Sequence, residues 1–251
     1  MSNALDGRTA LVTGAGRGIG RAIATGLARG GAGTIGLVAR SEGDLAETAR
    51  LVEQAGGNPV VIVADLSDPA APAKIAERAG AVDILVNNAG VVAPLGPSAS
   101  VDLAQWAASM TVNVTAVAAL TFALLPAMTK RKWGRVANVS SGIAANPAGM
   151  IGANAYATAK AALEAHTLNL AAELAGSGVT VNVYRPGAVD TAMQAWIRGQ
   201  DPARIGAPLH ERFTRSHAAG SLITPEQSAE SLLARLPGDA TGQVWSVSDP
   251  L

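Results

Sequence analysis

Thr9-Ala10-Leu11-Val12-Thr13-Gly14-Ala15-Gly16-Arg17-Gly18-Ile19-Gly20 is an apolar run that breaks into four glycines within the seven residues from Gly14 to Gly20. Thr9 to Thr13 reads as a first strand, and Arg21 to Arg29, behind the glycines, as a helix. Glycines at such a junction permit a tight turn and let backbone approach a ligand closely. The helix behind them aims free N–H groups and the positive end of its dipole at an anion. The turn therefore predicts a pyrophosphate site. No Lys-Ser/Thr pair follows the glycines, so a nucleotide-triphosphatase loop does not fit.

Outward from this turn the chain keeps alternating. Strands are predicted at Thr34 to Ala39, Pro59 to Ala64, Val82 to Val86, Arg135 to Val139, Val179 to Tyr184 and Gln243 to Val247. Helices are predicted at Asp44 to Gln54, Ala70 to Ala79, Leu103 to Lys130, Asn154 to Leu174 and Pro225 to Leu236. Alternation with short loops implies βαβ units, right-handed crossovers and one doubly wound α/β domain of Rossmann type, a seven-stranded parallel sheet with helices on both faces over residues 1–251. Gly187 to Gly220 breaks the rhythm. A connection of that length points to a functional segment, here a substrate lid at about 188–220.

Composition agrees with this class. Apolar residues make up 49% and aromatics 3%, so the core is built from Ala, Val, Leu and Ile, which suits strands covered on both faces. Nineteen basic and nineteen acidic side chains cancel, which argues against nucleic acid as a partner. With no cysteine there is no disulfide, thiolate nucleophile or Cys-ligated metal, and no metal site is expected. Apolar runs are broken before the ~18–20 residues of a membrane span. Met1-Ser2-Asn3-Ala4-Leu5-Asp6 lacks signal-peptide character. A cytoplasmic protein without membrane partners is expected.

The glycine spacing is Thr-Gly-x-x-x-Gly-x-Gly through Gly14, Gly18 and Gly20, and in this it resembles the short-chain dehydrogenase/reductase family. Strand two ends Leu37-Val38-Ala39-Arg40, with Ala39 where an acid would bind the ribose hydroxyls of NAD. Without that carboxylate a 2′-phosphate is not repelled, and Arg40, with Arg17 inside the turn, could grip it. NADP(H) is the expected cofactor, ahead of NAD(H).

Tyr156-Ala157-Thr158-Ala159-Lys160 puts a phenol and an ammonium at i and i+4 on one helix face. Free tyrosine has a pKa near ~10, and a nearby cation favours the phenolate, so the pair suits proton transfer to or from a carbonyl oxygen. The resemblance extends the site. It implies that Ser141 hydrogen-bonds the substrate carbonyl and that Asn113 holds a water connected to Lys160. It implies that Asn87, Ala89 and Gly90 shape the adenine-ribose side. It implies that Asp65, followed by Leu66, meets the adenine, and that Pro186, Gly187, Val189 and Thr191 line the nicotinamide. With Gly14, Arg17, Gly18, Ile19, Gly20, Arg40, Tyr156 and Lys160 these make the expected cofactor set.

Two features depart from the family pattern. The Ser141–Tyr156 interval is slightly long, and the C-terminus lacks the common Asp-Gly-Gly. Val189 to Gln194, with Asp201-Pro202 and Phe213 to Gly220, loosely resembles the sepiapterin and benzil reductase branch. Ser246, however, stands where sepiapterin reductases carry a pterin-binding aspartate. A small, largely apolar ketone, aldehyde or α-dicarbonyl is therefore expected, held by Met193 and Trp196. His210 and His217 read as surface or lid residues. The alternative is a catalytically silent NADP(H)-binding sensor. Apolar surplus on the two long helices, and the family's use of them, imply a homotetramer or dimer.

Overall fold

The strand that opens the glycine turn, β1 (Thr9–Thr13), lies near the middle of the sheet. The structure, a computed structural model, describes residues 5–250. Residues 1–4 of the N-terminal stretch read above for a leader, and Leu251 of the C-terminal one, lie outside the described residues. The strands are β1, β2 (Thr34–Ala39), β3 (Asn58–Val63), β4 (Ile84–Asn87), β5 (Gly134–Val139), β6 (Val179–Arg185) and β7 (Val244–Ser246). All pair in parallel in the order β3-β2-β1-β4-β5-β6-β7. The order reverses between β1 and β4, and a doubly wound sheet opens its ligand crevice at the carboxyl ends of strands flanking such a point.

Alternation along β1 separates two cores. Ala10 and Val12 face one cluster with Ile23 and Leu27 of α1 (Gly18–Arg29), Leu45 of α2 (Glu42–Gln54) and Leu232 of α10 (Pro225–Arg235). Leu11 faces the other, with Ile75 of α3 (Ala71–Ala79), Leu120 and Met128 of α5 (Ala116–Arg131) and Leu170 of α6 (Asn154–Glu173). Strand side chains point alternately to the two faces, and each face carries its own helices.

Three expectations are corrected. The first helix starts at Gly18 rather than Arg21, so the last two glycines already belong to it. The helix expected from Leu103 to Lys130 is α4 (Leu103–Met110), a π-helical turn at Thr111–Thr115, and α5. Within Leu103–Arg131 the most apolar 18-residue window has a mean hydropathy of 1.7, so the stretch is long and apolar enough to cross a membrane by length and composition. The apolar stretch is thus less broken than the sequence suggested. Its buried Leu120, Leu124 and Met128 pack on the sheet, as a core helix does. The segment at 188–220, expected as an irregular connection, is helical: α7 (Ala192–Arg198), α8 (Pro202–Ile205) and α9 (Ala207–Ala218). Thr191 and Asp201 accept from Gln194 N and Ala203 N at the starts of α7 and α8, and Pro202 occupies the first turn. These caps initiate helices too short for periodicity to reveal.

Candidate active site

The glycine turn is held by side chains on every side. Gly14 and Gly18 have φ of +66° and +55°, conformations costly for other residues. Thr48, buried in α2, donates to Ala15 O at 2.9 Å, and Arg21 reaches Gly16 O, Asp44 O and Thr48 Oγ1. Asn88 Nδ2 donates to Thr13 O at 3.0 Å, while Thr13 Oγ1 accepts from Asn88 N and Ala89 N, joining the ends of β1 and β4. The α1 N-terminus has no side-chain cap and no acid in its first turn. Its N–H groups remain available to an anion. A dinucleotide diphosphate fits this cradle.

At the rim, the Cβ of Ala39 lies beside Gly16, so the position expected to hold an acid carries only a methyl. Arg40 is 70% exposed and stands 4.0 Å from the Asp65 carboxylate, and Arg17 is exposed at the turn. Asp65 Oδ1 accepts from Ser67 N, and this bond is the main reason its carboxyl is held below the usual range. Leu66 is buried next to it.

The reacting groups are laid out by contact between the end of β5 and the first turns of α6. Val139 O accepts from Lys160 Nζ at 2.8 Å, Ser140 Oγ donates to Glu164 Oε1 at 2.7 Å, and the Ser141 hydroxyl lies close enough to the Tyr156 phenol to act on its pKa. Three consecutive residues thus face three successive positions, 156, 160 and 164, spaced one turn apart, and two of them hold theirs by hydrogen bonds. Burial pushes Tyr156 up, and the Ser141 hydroxyl partly offsets this. Burial lowers Lys160 to about 8, against the raising influence of the Glu164 carboxylate. The ammonium lies 5.7 Å from the centre of the Tyr156 ring. The arrangement can hold a proton at a phenol oxygen beside a hydroxyl donor, with a cation behind it.

Asn113 sits in the π turn, fully buried, where its Nδ2 donates to Val91 O and Ser109 O, and its Oδ1 accepts from Val91 N. Gly90 is wedged between it and Lys160: a Cβ there would meet Asn113 Oδ1 at 2.9 Å and Lys160 Nζ at 3.5 Å. Single π turns inside α-helices often mark functional positions, and this one turns Asn113 inward.

The loop after β6 closes the crevice. Pro186 O accepts from Ser228 Oγ at 3.0 Å, Gly187 has φ +80°, and buried Val189 bridges to Ile223. Thr191 caps α7 as an acceptor, leaving its hydroxyl proton to donate, and its methyl lies over Gly18. Above Tyr156 is a third apolar cluster of Val92, Leu95, Ile143, Met150 and Ile197, with Met193 and Phe213 against it. The long Ser141–Tyr156 interval contributes Ile143 and Met150 through two 3₁₀ turns, Gly142–Ala144 and Pro147–Met150.

Two expected site residues sit elsewhere. The Asn87 side chain points into the core, donating to Asn138 Oδ1 and Thr121 Oγ1, because successive strand residues face opposite ways. Asn88 takes the place beside the turn. Trp196 is 43% exposed and outside the cluster over Tyr156; Ile197, a full turn from Met193, fills that position. His210 Nε2 pairs with Arg198 O within the 188–220 segment, and His217 is exposed. Sequence reasoning missed Arg21, Thr48, Glu164 and Arg185. Only Glu164 carried a signal, four residues beyond Lys160 on the same helix face. Among the described residues no group of His, Asp and Glu could hold a metal.

The family description "short chain dehydrogenase" matches residues 8–202. A "Short chain dehydrogenase" of Pseudocercospora fijiensis is 41% identical over 197 residues, 76% of this chain and 62% of that protein, so this chain spans less than two thirds of that relative's length. The cis-4-hydroxycyclohexanecarboxylate dehydrogenase of Sinomonas cyclohexanicum is 35% identical over 97% of this chain and 94% of its own. A crystal structure of a 3-oxoacyl (acyl-carrier-protein) reductase from Agrobacterium tumefaciens C58, with NADP bound, superposes with a TM-score of 0.83. It is 34% identical, covering 96% of this chain and 93% of that one.

Proposed function

This chain belongs to the short-chain dehydrogenase/reductase family and is an NAD(P)-dependent oxidoreductase, and from that premise we propose that it reduces a small, largely apolar ketone, aldehyde or α-dicarbonyl with NADPH. One observation carries the reading: Tyr156, beside Ser141 and with Lys160 behind it, is part of a buried apolar cluster with Val92, Ile143, Met150 and Ile197. Bound NADPH would supply the hydride. Ser141 would hold the carbonyl oxygen, Tyr156 would give that oxygen its proton, and Lys160 would favour the phenolate left behind. Val189 and Thr191 would hold the nicotinamide end, and Gly14, Gly18, Ile19 and Gly20 the diphosphate. The cyclic secondary alcohol in the name of the Sinomonas relative supports a compact carbon skeleton as substrate.

The NADPH preference is supported by Ala39 beside Gly16 and by the exposed guanidiniums of Arg17 and Arg40. Charge reversal, Arg40→Glu, is expected to weaken NADPH about 10–100-fold, since one charge-assisted contact is lost and a repulsion takes its place. NADH affinity should change less than about threefold, because no 2′-phosphate is involved. Titrating both cofactors by fluorescence checks it; equal losses for the two would remove Arg40 from the phosphate site. For the reaction itself, NADPH absorbance is followed across aldehydes, cyclic ketones and diketones. Tight NADPH binding without turnover of any of them would instead favour a sensor.

A homotetramer belongs to the same proposal. Exposed Leu103, Phe122 and Leu168 on α4, α5 and α6, with Phe122 edge-on to His166, support an apolar face for a second copy. A cytoplasmic location is proposed with it, on the lack of cysteine.

A further inference from the structure

The Glu164 carboxylate ties together the strands on either side of the reaction site. It accepts from Ser140 Oγ at 2.7 Å and from Arg185 Nε at 2.9 Å on Oε1, and pairs with Arg185 Nη2 at 2.6 Å on Oε2. Ser140 precedes Ser141 at the end of β5. Arg185 ends β6 and precedes the Pro186-Gly187 turn. Glu164 itself is a turn beyond Lys160 on α6 and is 8% exposed. A fork-to-fork guanidinium–carboxylate pair fixes direction as well as distance, so one side chain sets the relative positions of three elements. Those elements carry the carbonyl donor, the proton donor and the loop at the nicotinamide.

We propose that Glu164 is a positioning residue for the reaction: held by Arg185 and Ser140, it fixes Ser141 and the Pro186-Gly187 turn against Tyr156 and Lys160. This rests on the reductase reading above. The clamp has an electrostatic side as well. The groups around the carboxylate are Lys160 on its own helix, Ser140 after β5, Arg185 on β6, and Asp249, which acts on Arg185 from the C-terminal segment. With Glu164 neutral, both the lost attraction and the unpaired Arg185 would drive the proton off Lys160 at lower pH.

The test is Glu164→Gln, which keeps size and can still accept a hydrogen bond, assayed in the reductive direction from pH 6 to 10. The expected kcat falls about tenfold, in line with the sensitivity of reacting geometry to small displacements. Burial lowers Lys160 to about 8, and an alkaline limb that follows its deprotonation should move to lower pH in the variant than in the parent, with NADPH affinity nearly unchanged. A variant with full kcat and an unmoved limb overturns the proposal, as does one that is merely less stable with an unmoved limb. Should Glu164→Gln not fold, Ser140→Ala carries the test, since both charges survive. A reduced kcat at unchanged Tm then supports the clamp, and an unchanged kcat overturns it. The parent enzyme's own turnover reports on the reductase reading, and the variant-to-parent ratio on the clamp alone.

Discussion

Tyr156→Phe is expected to lose carbonyl reduction by about 10²–10⁴-fold in kcat, the usual worth of a positioned general acid, while binding NADPH as tightly as before. The ring is 9% exposed and packs with Val92, Ile143 and Met150, so phenylalanine fills the same space. Removing the hydroxyl costs at most its contact with Ser141, which keeps the Ile143 N–H and partial access to solvent. A partner that can turn to water costs about 1 kcal/mol or less. The stability change should therefore be small and the catalytic change large. Lys160 keeps its anchor on Val139 O in either case. Stopped-flow measurement of hydride transfer, alongside a fluorescence titration with NADPH, separates the two effects. Retention of more than a tenth of the parent kcat would mean that another group, or water, protonates the alcohol oxygen.

The tyrosine and lysine were legible because their relation is local: four residues on one helix need no tertiary information. The same holds for the glycine turn, whose positive φ values at Gly14 and Gly18 are demanded by the strand–helix junction itself. The doubly wound parallel sheet followed from alternation and from the handedness of crossovers. What stayed hidden depends on partners far along the chain. Arg185 and Glu164 are 21 residues apart and Ser140 and Glu164 are 24 apart, on three different elements. Nothing in their spacing pairs them. Thr48 is 33 residues from the carbonyl it supports. Asn87 and Asn88 are chemically identical, and only the face on which β4 buries its last residue decides which amide meets the turn. The short helices of the 188–220 segment escaped for another reason: α7 and α8 are seven and four residues long, below the length at which a helical period can be counted.

Gly20→Ala is expected to damage both fold and cofactor binding, although it adds a single methyl. A Cβ at position 20 would press on the Gly14 carbonyl oxygen, lie 2.8 Å from the Gly14 carbonyl carbon and stand 2.6 Å from Asn88 Nδ2. Backbone cannot rotate away as a side-chain tip can. Asn88 is also fixed, since its amide holds Thr13 O. Relief requires α1 to move away from the turn, and overpacking of this kind costs about 1–3 kcal/mol. For a chain of this size that lowers Tm by roughly 2–12 °C. The same displacement withdraws the uncapped N–H groups of α1 from the diphosphate, so NADPH affinity should fall at least about tenfold, equivalent to ~1.4 kcal/mol. Gly142→Ala is the matched control, because a Cβ there meets nothing within 4 Å although the residue adjoins Ser141. Thermal melts with and without NADPH read both effects. The cofactor should raise the Tm of the parent and of Gly142→Ala, and raise that of Gly20→Ala far less. If NADPH stabilises Gly20→Ala as strongly as the parent, the diphosphate does not rest on this turn.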